Sequence, residues 1–371
     1  MAKKKKAKVS SGSGKNKRKR SPWPIALIFR LVLIIAASAL VMSYISVYFN
    51  PRITSIPLFF GLYFIPLVLI NVLLLIAGLL RRSGATWITF IVLLPSLLFA
   101  DLFVGFSSSE ASEKGIALKV CTYNVGMFSQ QKSKSKVEEL EGIARFIAKE
   151  EPGVVCMQEF FIRDTNLIAE NFPEYQYRYY HFFRMKTGSR FGNIIMSKFP
   201  IVESGKLTFK GSTNLCVYAD IEHFGKKIRV YNTHLESHNM SFTSLIKRMS
   251  NSQQVSDELI EVHDKLASTF KKRALQVDSI ARHAQASEIP SIICGDFNDT
   301  PMSYTYHKLV KNKKDSFKES GKGFSASYRF LWPVLRIDYI LYPKEFGSMN
   351  HRTVKVPFSD HYPVFAEIII P

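Results

Sequence analysis

The chain has 371 residues, room for roughly two domains, and a formal net charge of +20. That charge is uneven: ten Lys or Arg and no acid fall in the first 20 residues, and the residues after 106 hold 36 basic and 29 acidic side chains. The later region is thus too mildly basic for its charge to argue a nucleic-acid-binding surface. The four cysteines, Cys121, Cys156, Cys216 and Cys294, lie in apolar runs without metal-ligand spacing and read as buried core thiols. A disulfide between neighbouring strands stays open.

Residues 1–22 are Lys, Arg, Ser and Gly without apolar periodicity, and predict a disordered tail held on the cytoplasmic side of a membrane. Residues 23–106 are almost wholly apolar and predict three transmembrane helices, Trp23 to Phe49, Ile56 to Leu80 and Ala85 to Phe106. Pro57 and Pro66 are tolerable in such helices. Arg81-Arg82 is the one basic pair of this region and joins the tail on the cytoplasmic side. Three crossings then deliver the remainder to the extracytoplasmic face, an arrangement that suits a bacterial inner membrane. One segment lying in the interface would invert that topology.

Residues 107–116 form a polar linker, and 117–371 predict a β-rich domain with interspersed helices. Strands are expected at Ala117–Asn124, Gly153–Gln158, Tyr175–Phe182, Phe191–Ser197, Leu207–Phe209, Cys216–His223, Lys227–Thr233, Ile292–Gly295, Arg336–Tyr342 and Val364–Ile370. Helices are expected at Lys136–Glu150, with Ile143, Phe146 and Ile147 on one face, and over Ser256–Gln285. Many strands with a few long helices imply two packed sheets with helices outside.

Polar clusters fall at the ends of the apolar runs. They are Asn124 in C-T-Y-N-V, Glu159 in V-C-M-Q-E, His234 in V-Y-N-T-H-L-E-S, Asp296 and Asn298 in G-D-F-N, Asp338 in R-I-D-Y-I-L, and Asp360-His361 in F-S-D-H-Y-P-V. Each alone is commonly a cap or a satisfied core group. Together, this mix of acids, amides and imidazoles is not what structural turns need.

The ordered set, over residues 117–371, resembles the endonuclease/exonuclease/phosphatase superfamily of deoxyribonuclease-I-like, metal-dependent phosphoesterases. The resemblance implies a four-layered α/β sandwich. It implies that Asn124, Glu159 and Asp360 belong to a divalent-metal site, usually magnesium with manganese as a substitute. It also implies that Asp296 and Asn298 align the attacking water, that His361 oriented by Asp338 contacts the phosphate, and that His234 handles the phosphate or leaving group. Carboxylate oxygens are what magnesium accepts, whereas no Cys or His cluster suits zinc. Whether Asp296 or His361 takes the proton is open at this level. Lys186, Arg190 and Asn193, around Gly188 and Gly192, are further candidates to reach substrate; a solvated loop is the other reading.

The expected activity is a membrane-anchored phosphoesterase acting on a phosphate ester, for which tethering favours a lipid or membrane-derived substrate. The alternatives are an anchored nuclease acting on DNA or RNA, and a catalytically silent binding domain on the same scaffold. The long connection Leu235–Lys272, which mixes apolar and basic residues, is either a membrane-facing lid or an extra packed helix.

Overall fold

The computed structural model describes residues 23–107, 114–131, 135–237, 255–331, 333 and 335–371. The basic tail, most of the 107–116 linker and residues 238–254 of the long connection lie outside these. The apolar opening folds into three antiparallel limbs. Helix α1 (Trp23–Ile45) continues through a 3-10 turn to Tyr48 and is the one described helix that by itself is long and apolar enough to cross a bilayer. The second expected span is broken into α2 (Ile56–Leu62) and α3 (Phe64–Leu80), bent by 72°. The third is α4 (Thr86–Leu93) followed by a 3-10 helix, Leu94–Leu102.

The expectation of three spanning helices is therefore corrected to one, or two if the bent pair counts as a single span. Prolines are the physical cause. Pro66 lacks the N–H that would bond the Leu62 carbonyl, and Pro95 likewise cannot bond Ile91, so a helix restarts or tightens at each. The limbs are held by polar pins. The Asn71 amide donates to the Ala36 carbonyl (3.0 Å), the Tyr44 hydroxyl to the Val92 carbonyl (2.8 Å), and the Arg81 guanidinium lies 4.8 Å from the Phe29 ring centre.

The rest is a sandwich. Its strands are β1 (Gly105–Phe106), β2 (Ile116–Asn124), β3 (Val154–Ile162), β4 (Tyr177–Arg184), β5 (Arg190–Ser197), β6 (Ile201–Thr208), β7 (Leu215–His223), β8 (Lys226–His234), β9 (Ser291–Asp296), β10 (Lys313–Asp315), β11 (Lys322–Gly323), β12 (Asp338–Pro343), β13 (Gly347–Thr353) and β14 (Val364–Ile370). One six-stranded sheet runs β13-β14-β2-β3-β5-β4 and the other β10-β12-β9-β8-β7-β6. Only β2/β3 and β8/β9 are parallel among the described pairs. Parallel neighbours need a long crossover, which α5 (Lys136–Glu150) and α7 (Val255–Gln285) supply on opposite outer faces. Between them in sequence lies the short α6 (Asn166–Asn171), and α8 (Tyr304–Val310) and α9 (Ser316–Ser320) follow β9 and β10.

Strand alternation divides the core. Leu118 and Val120 of β2 face Val217, Val230, Ile292 and Ile340 between the sheets. Cys121 and Tyr123 face outward under Ile143 and Ile147 of α5, which a Ser135/Glu138 capping box starts. On the other outer face Tyr231, Ile293, Tyr339 and Leu341 pack under Val277 and Ile280 of α7 and Tyr306 of α8. Leu40, Tyr44, Val47, Phe64 and Leu102 of the helical block belong to that same cluster. The layers are thus helix, sheet, sheet, helix, and all four cysteines are free and buried.

His351 of β13 is buried, with Nδ1 2.8 Å from the Ser316 hydroxyl and Nε2 2.9 Å from that of Ser325. Burial pushes its pKa down to about 3. Below pH 6.5 the unfolded chain takes up a proton that the folded chain refuses. Stability should therefore fall as pH drops from 6.5 toward 3, by about 1.4 kcal/mol per pH unit from this group. Denaturant unfolding of the full chain in detergent between pH 7 and 4 measures this slope. His351→Asn should make it shallower by about one proton; an unaltered slope would assign the acid sensitivity elsewhere.

Candidate active site

The parallel pairs place their carboxyl ends side by side, and the acids, amides and imidazoles gather there. His234, Asp296 and Asp338 lie in one register row across β8, β9 and β12. Gly295 makes this row possible: its φ is +131°, and a Cβ there would stand 2.0 Å from the Thr233 carbonyl oxygen. On the facing sheet Asn124 ends β2. In β3 the register against β5 shifts between Met157 and Phe160, a bulge that re-aims Glu159 with φ +52°. Asn298 also holds φ +52°. Left-handed backbone at two site residues is the kind of strain functional sites store. Asp360 and His361 arrive on the segment leading into β14.

Asp296 is the centre, fully buried. Its Oδ2 accepts from the Asn124 amide (2.9 Å) and the Asn298 amide (3.2 Å), and its Oδ1 from the Asn298 backbone N–H (2.8 Å). His361 Nε2 lies 3.8 Å and His234 Nε2 4.0 Å from the same Oδ2. His361 Nδ1 is 2.9 Å from Asp338 Oδ2. Glu159 Oε1 accepts from the Asn124 amide (3.2 Å) and lies 3.5 Å from His234 Nε2. Ser359 ties in the last segment, donating to the Asn124 carbonyl at 2.7 Å and lying 3.3 Å from Asp360 Oδ1.

Two charges are perturbed together. Burial raises the Asp296 carboxyl above its ordinary range; the His361 and His234 rings and the Asn124 amide oppose that, while Asp338 adds to it. Burial alone would lower His361, but Asp338, Asp296 and Asp360 outweigh it and push it up to about 10. The surrounding carboxylates thus favour the charged ring, in which both nitrogens are donors. His234 Nε2 and Asp338 Oδ1 are buried without a hydrogen-bond partner among the described residues.

The donor set can be matched to a metal. Ligand atoms of Asp296, Asp338 and His361 fall within 4.8 Å of one another, but the hydrogen bond between His361 and Asp338 occupies one donor of each. Glu159 and Asp360 are only partly buried and offer free carboxylate oxygens, which fits a hard divalent cation. Asn124 turns its nitrogen to Glu159 and Asp296 while its oxygen accepts from the Gly126 N–H (3.0 Å). In this orientation its nitrogen holds the two carboxylates, and its oxygen keeps one lone pair beyond the Gly126 bond.

Eight expected residues, Asn124, Glu159, His234, Asp296, Asn298, Asp338, Asp360 and His361, thus converge on one cluster. The three further candidates do not. Lys186 and Arg190 are exposed at the β4–β5 hairpin, and no described hydrogen bond or ion pair joins them to the cluster. Asn193 is fully buried between the sheets, donating to the Leu215 and Asn232 carbonyls (3.2 Å each), so it faces the interior and not a substrate.

Sequence reading missed Ser359 and the buried Arg273. The Arg273 guanidinium reaches Asp299 Oδ2 (2.6 Å) and the Glu236 carbonyl (3.0 Å), and so links the two loops that follow His234 and Asn298. The available signal was position alone: Ser359 abuts the Asp-His pair, and Arg273 lies one helical turn from Gln276, which accepts from the Glu236 N–H (2.8 Å).

Residues 121–361 match the profile of the Endonuclease/Exonuclease/phosphatase family, and the chain belongs to that family of phosphoesterases. Residues 26–101 match a domain of unknown function. No curated protein matches the sequence. Solved structures described as endonuclease/exonuclease/phosphatase proteins share the fold. The one from Bacteroides vulgatus is 18% identical with a TM-score of 0.51, covering 69% of this chain and 100% of that one. The one from Beutenbergia cavernae is 19% identical with a TM-score of 0.50, covering 68% and 72%. The one from Leptotrichia buccalis is 18% identical with a TM-score of 0.50, covering 68% and 100%.

Asp338→Asn keeps the shape of the partner but removes the charge that holds His361 protonated. The His361 pKa should fall from about 10, by about one to three pH units. An NMR titration of histidine-labelled full chain without divalent cations reads this directly, and an unmoved titration would contradict the pairing.

Proposed function

We propose that this chain is a membrane-anchored, divalent-metal-dependent phosphoesterase that hydrolyses a phosphodiester or phosphomonoester carried by a lipid or another membrane-derived molecule. The observation that carries the reading is the buried Asp296 carboxylate with the Asp338-held His361 ring 3.8 Å away, beside two partly open carboxylates. An anionic phosphate ester repels hydroxide, so hydrolysis needs positive charge at the phosphate and a base beside the water. His361 Nε2–H donates to a phosphate oxygen, and Asp338 keeps the ring charged and oriented. His234 Nε2, 3.5 Å from Glu159 and 4.0 Å from Asp296, faces the same space.

Asp296 takes the proton of the attacking water as its oxygen bonds to phosphorus; the P–O bond to the leaving group breaks, and the departing oxygen takes a proton from solvent. Its upward-shifted carboxyl brings its basicity closer to neutral pH. Asn298 and Asn124 fix that carboxylate through their amides. A magnesium or manganese ion, which Glu159 and Asp360 would hold, supplies charge neutralisation when bound.

The membrane part of the proposal rests on surface and charge. Leu31, Ile35, Leu73, Leu79, Leu97 and Leu98 are exposed on the helical block, an apolar area that a soluble protein would cover. The contact of Arg81 with Phe29 puts the Arg81-Arg82 turn at the same end as the amino terminus of α1, while Ser46 and Leu102 at the opposite end touch the sandwich. With the basic end cytoplasmic, the sandwich lies on the extracytoplasmic face.

The test uses the full chain in detergent or nanodiscs with magnesium, manganese or EDTA, on a generic phosphodiester, a phosphomonoester, a phospholipid panel and DNA. Metal-dependent turnover is expected, with phospholipid preferred, and Asp296→Ala and His361→Ala should each cost about 10²–10⁴-fold. Preference for DNA would replace the substrate class, and no metal-dependent turnover on any arm would overturn the proposal.

A further inference from the structure

The helical block does not hang from the sandwich by its linker alone; it is packed into it at the segments that present the site. Met302 lies four residues beyond Asn298, and its carbonyl oxygen lies 3.0 Å from the buried Ser46 hydroxyl of the block, whose one proton it shares with the Ser43 carbonyl at 2.7 Å. Gly61 of α2 closes over the same contact: a Cβ there would stand 2.3 Å from Ser46 Oγ and 2.5 Å from the Met302 carbonyl oxygen. Arg336, two residues before Asp338, is buried among Tyr306, Phe317 and Tyr339. It pairs with Asp315 (2.8 Å) and donates from Nη2 to the Leu102 carbonyl at the end of the block (3.1 Å). The Tyr339 hydroxyl then joins the two segments, reaching the carbonyls of Asp299 and Arg336 at 2.8 Å each.

Around these polar contacts the apolar packing is continuous. Phe59 of α2 stacks on His263 of α7 at 4.6 Å between ring centres and meets Phe270 edge-on at 5.4 Å. Gly105 and Phe106, just past the block, pair as a strand with Lys322 and Gly323.

We propose that the apolar helical block is a positioning element of the active site, in which Ser46, Gly61 and Arg336 fix the two segments that present Asn298 and Asp338. Displacing the block lets residues 297–303 and 336–339 move, and with them the donors on Asp296 and the partner of His361. The catalytic part of this inference rests on the phosphoesterase reading; the structural part does not.

The test compares Gly61→Ala with Gly78→Ala in the full chain in nanodiscs. A Cβ at Gly78 would meet Thr86 Oγ1 at 2.4 Å, a clash of similar closeness, against a side chain only, that lies wholly within the block. Two readouts are taken: amide hydrogen exchange of residues 297–303 and 336–339, and kcat against KM on the substrate found for the wild type. Gly61→Ala should speed exchange in both segments and lower kcat about ten- to hundredfold, with KM changed by less than about twofold. Gly78→Ala should do neither. If Gly61→Ala fails to fold, Ser46→Ala, which removes the hydroxyl shared between the Ser43 and Met302 carbonyls without a clash, carries the test through faster exchange around Met302. Unchanged exchange in Gly61→Ala or Ser46→Ala, or an equal response in Gly78→Ala, would overturn the proposal. The expected exchange pattern in a protein without turnover would leave the positioning role standing and refute the phosphoesterase reading.

Discussion

The site depends on keeping the buried Asp296 carboxylate solvated by protein. Burying an unpaired carboxylate costs several kcal/mol, and here three hydrogen bonds from Asn124 and Asn298 and two nearby imidazoles replace water. The arrangement is reciprocal. His361 holds its charge because Asp338 and Asp296 surround it, and the charged ring in turn favours an ionised Asp296. Strained backbone at Glu159 and Asn298, at about 1–3 kcal/mol each, is tolerable because the sheets on either side are fully packed.

The cluster draws on both sheets, so its geometry needs the sheets locked to each other. A polar ladder directly beneath it does this. The Gln158 amide donates to Asn232 Oδ1 (2.7 Å), and Asn232 donates to the Met157 and Ile194 carbonyls (2.9 and 2.8 Å). An apolar interface alone could slide by a fraction of a residue, whereas directional bonds in a low-dielectric interior resist that. Asn193, buried in the same layer, belongs to this lock.

Much of this was legible in the chain. The buried strands emerge from short apolar runs bounded by turns, and α5 is found at its expected residues because its capping box and its apolar stripe agree. The G-D-F-N and S-D-H segments announce the site because a turn has no need of those groups together. What sequence misplaces has physical reasons. β13 and β6 are edge strands with mixed polarity, so one was not foreseen and the other was foreseen too short. In R-F-G-N-I-I-M-S every residue beyond Phe191 is buried, so alternation cannot say which way Asn193 points. The breaks at Pro66 and Pro95 turn on local backbone hydrogen bonding, which hydropathy does not register. The Asn124 orientation depends on Gly126 and Glu159 together, a three-body matter invisible in the string.

The shared core between the helical block and the sandwich bears on what kind of substrate the proposed enzyme gains by its anchor. A flexible tether raises the encounter rate with anything confined near a membrane, but it lets the site sample every orientation. A docked block does something narrower. With α1 across a bilayer, its 26 residues including the 3-10 turn span about 39 Å at 1.5 Å per residue. On the proposed docking, the sandwich would sit at a fixed height beyond its far end, with its orientation set through the contacts at Ser46, Gly61 and Arg336. A soluble polymer gains little from a fixed orientation, since it approaches from any side. A headgroup presented always from the same plane gains from it fully, because the reacting phosphate arrives with its alignment already largely decided. Rigid docking is therefore a physical reason, independent of any resemblance, to favour a membrane-borne phosphate ester over free nucleic acid.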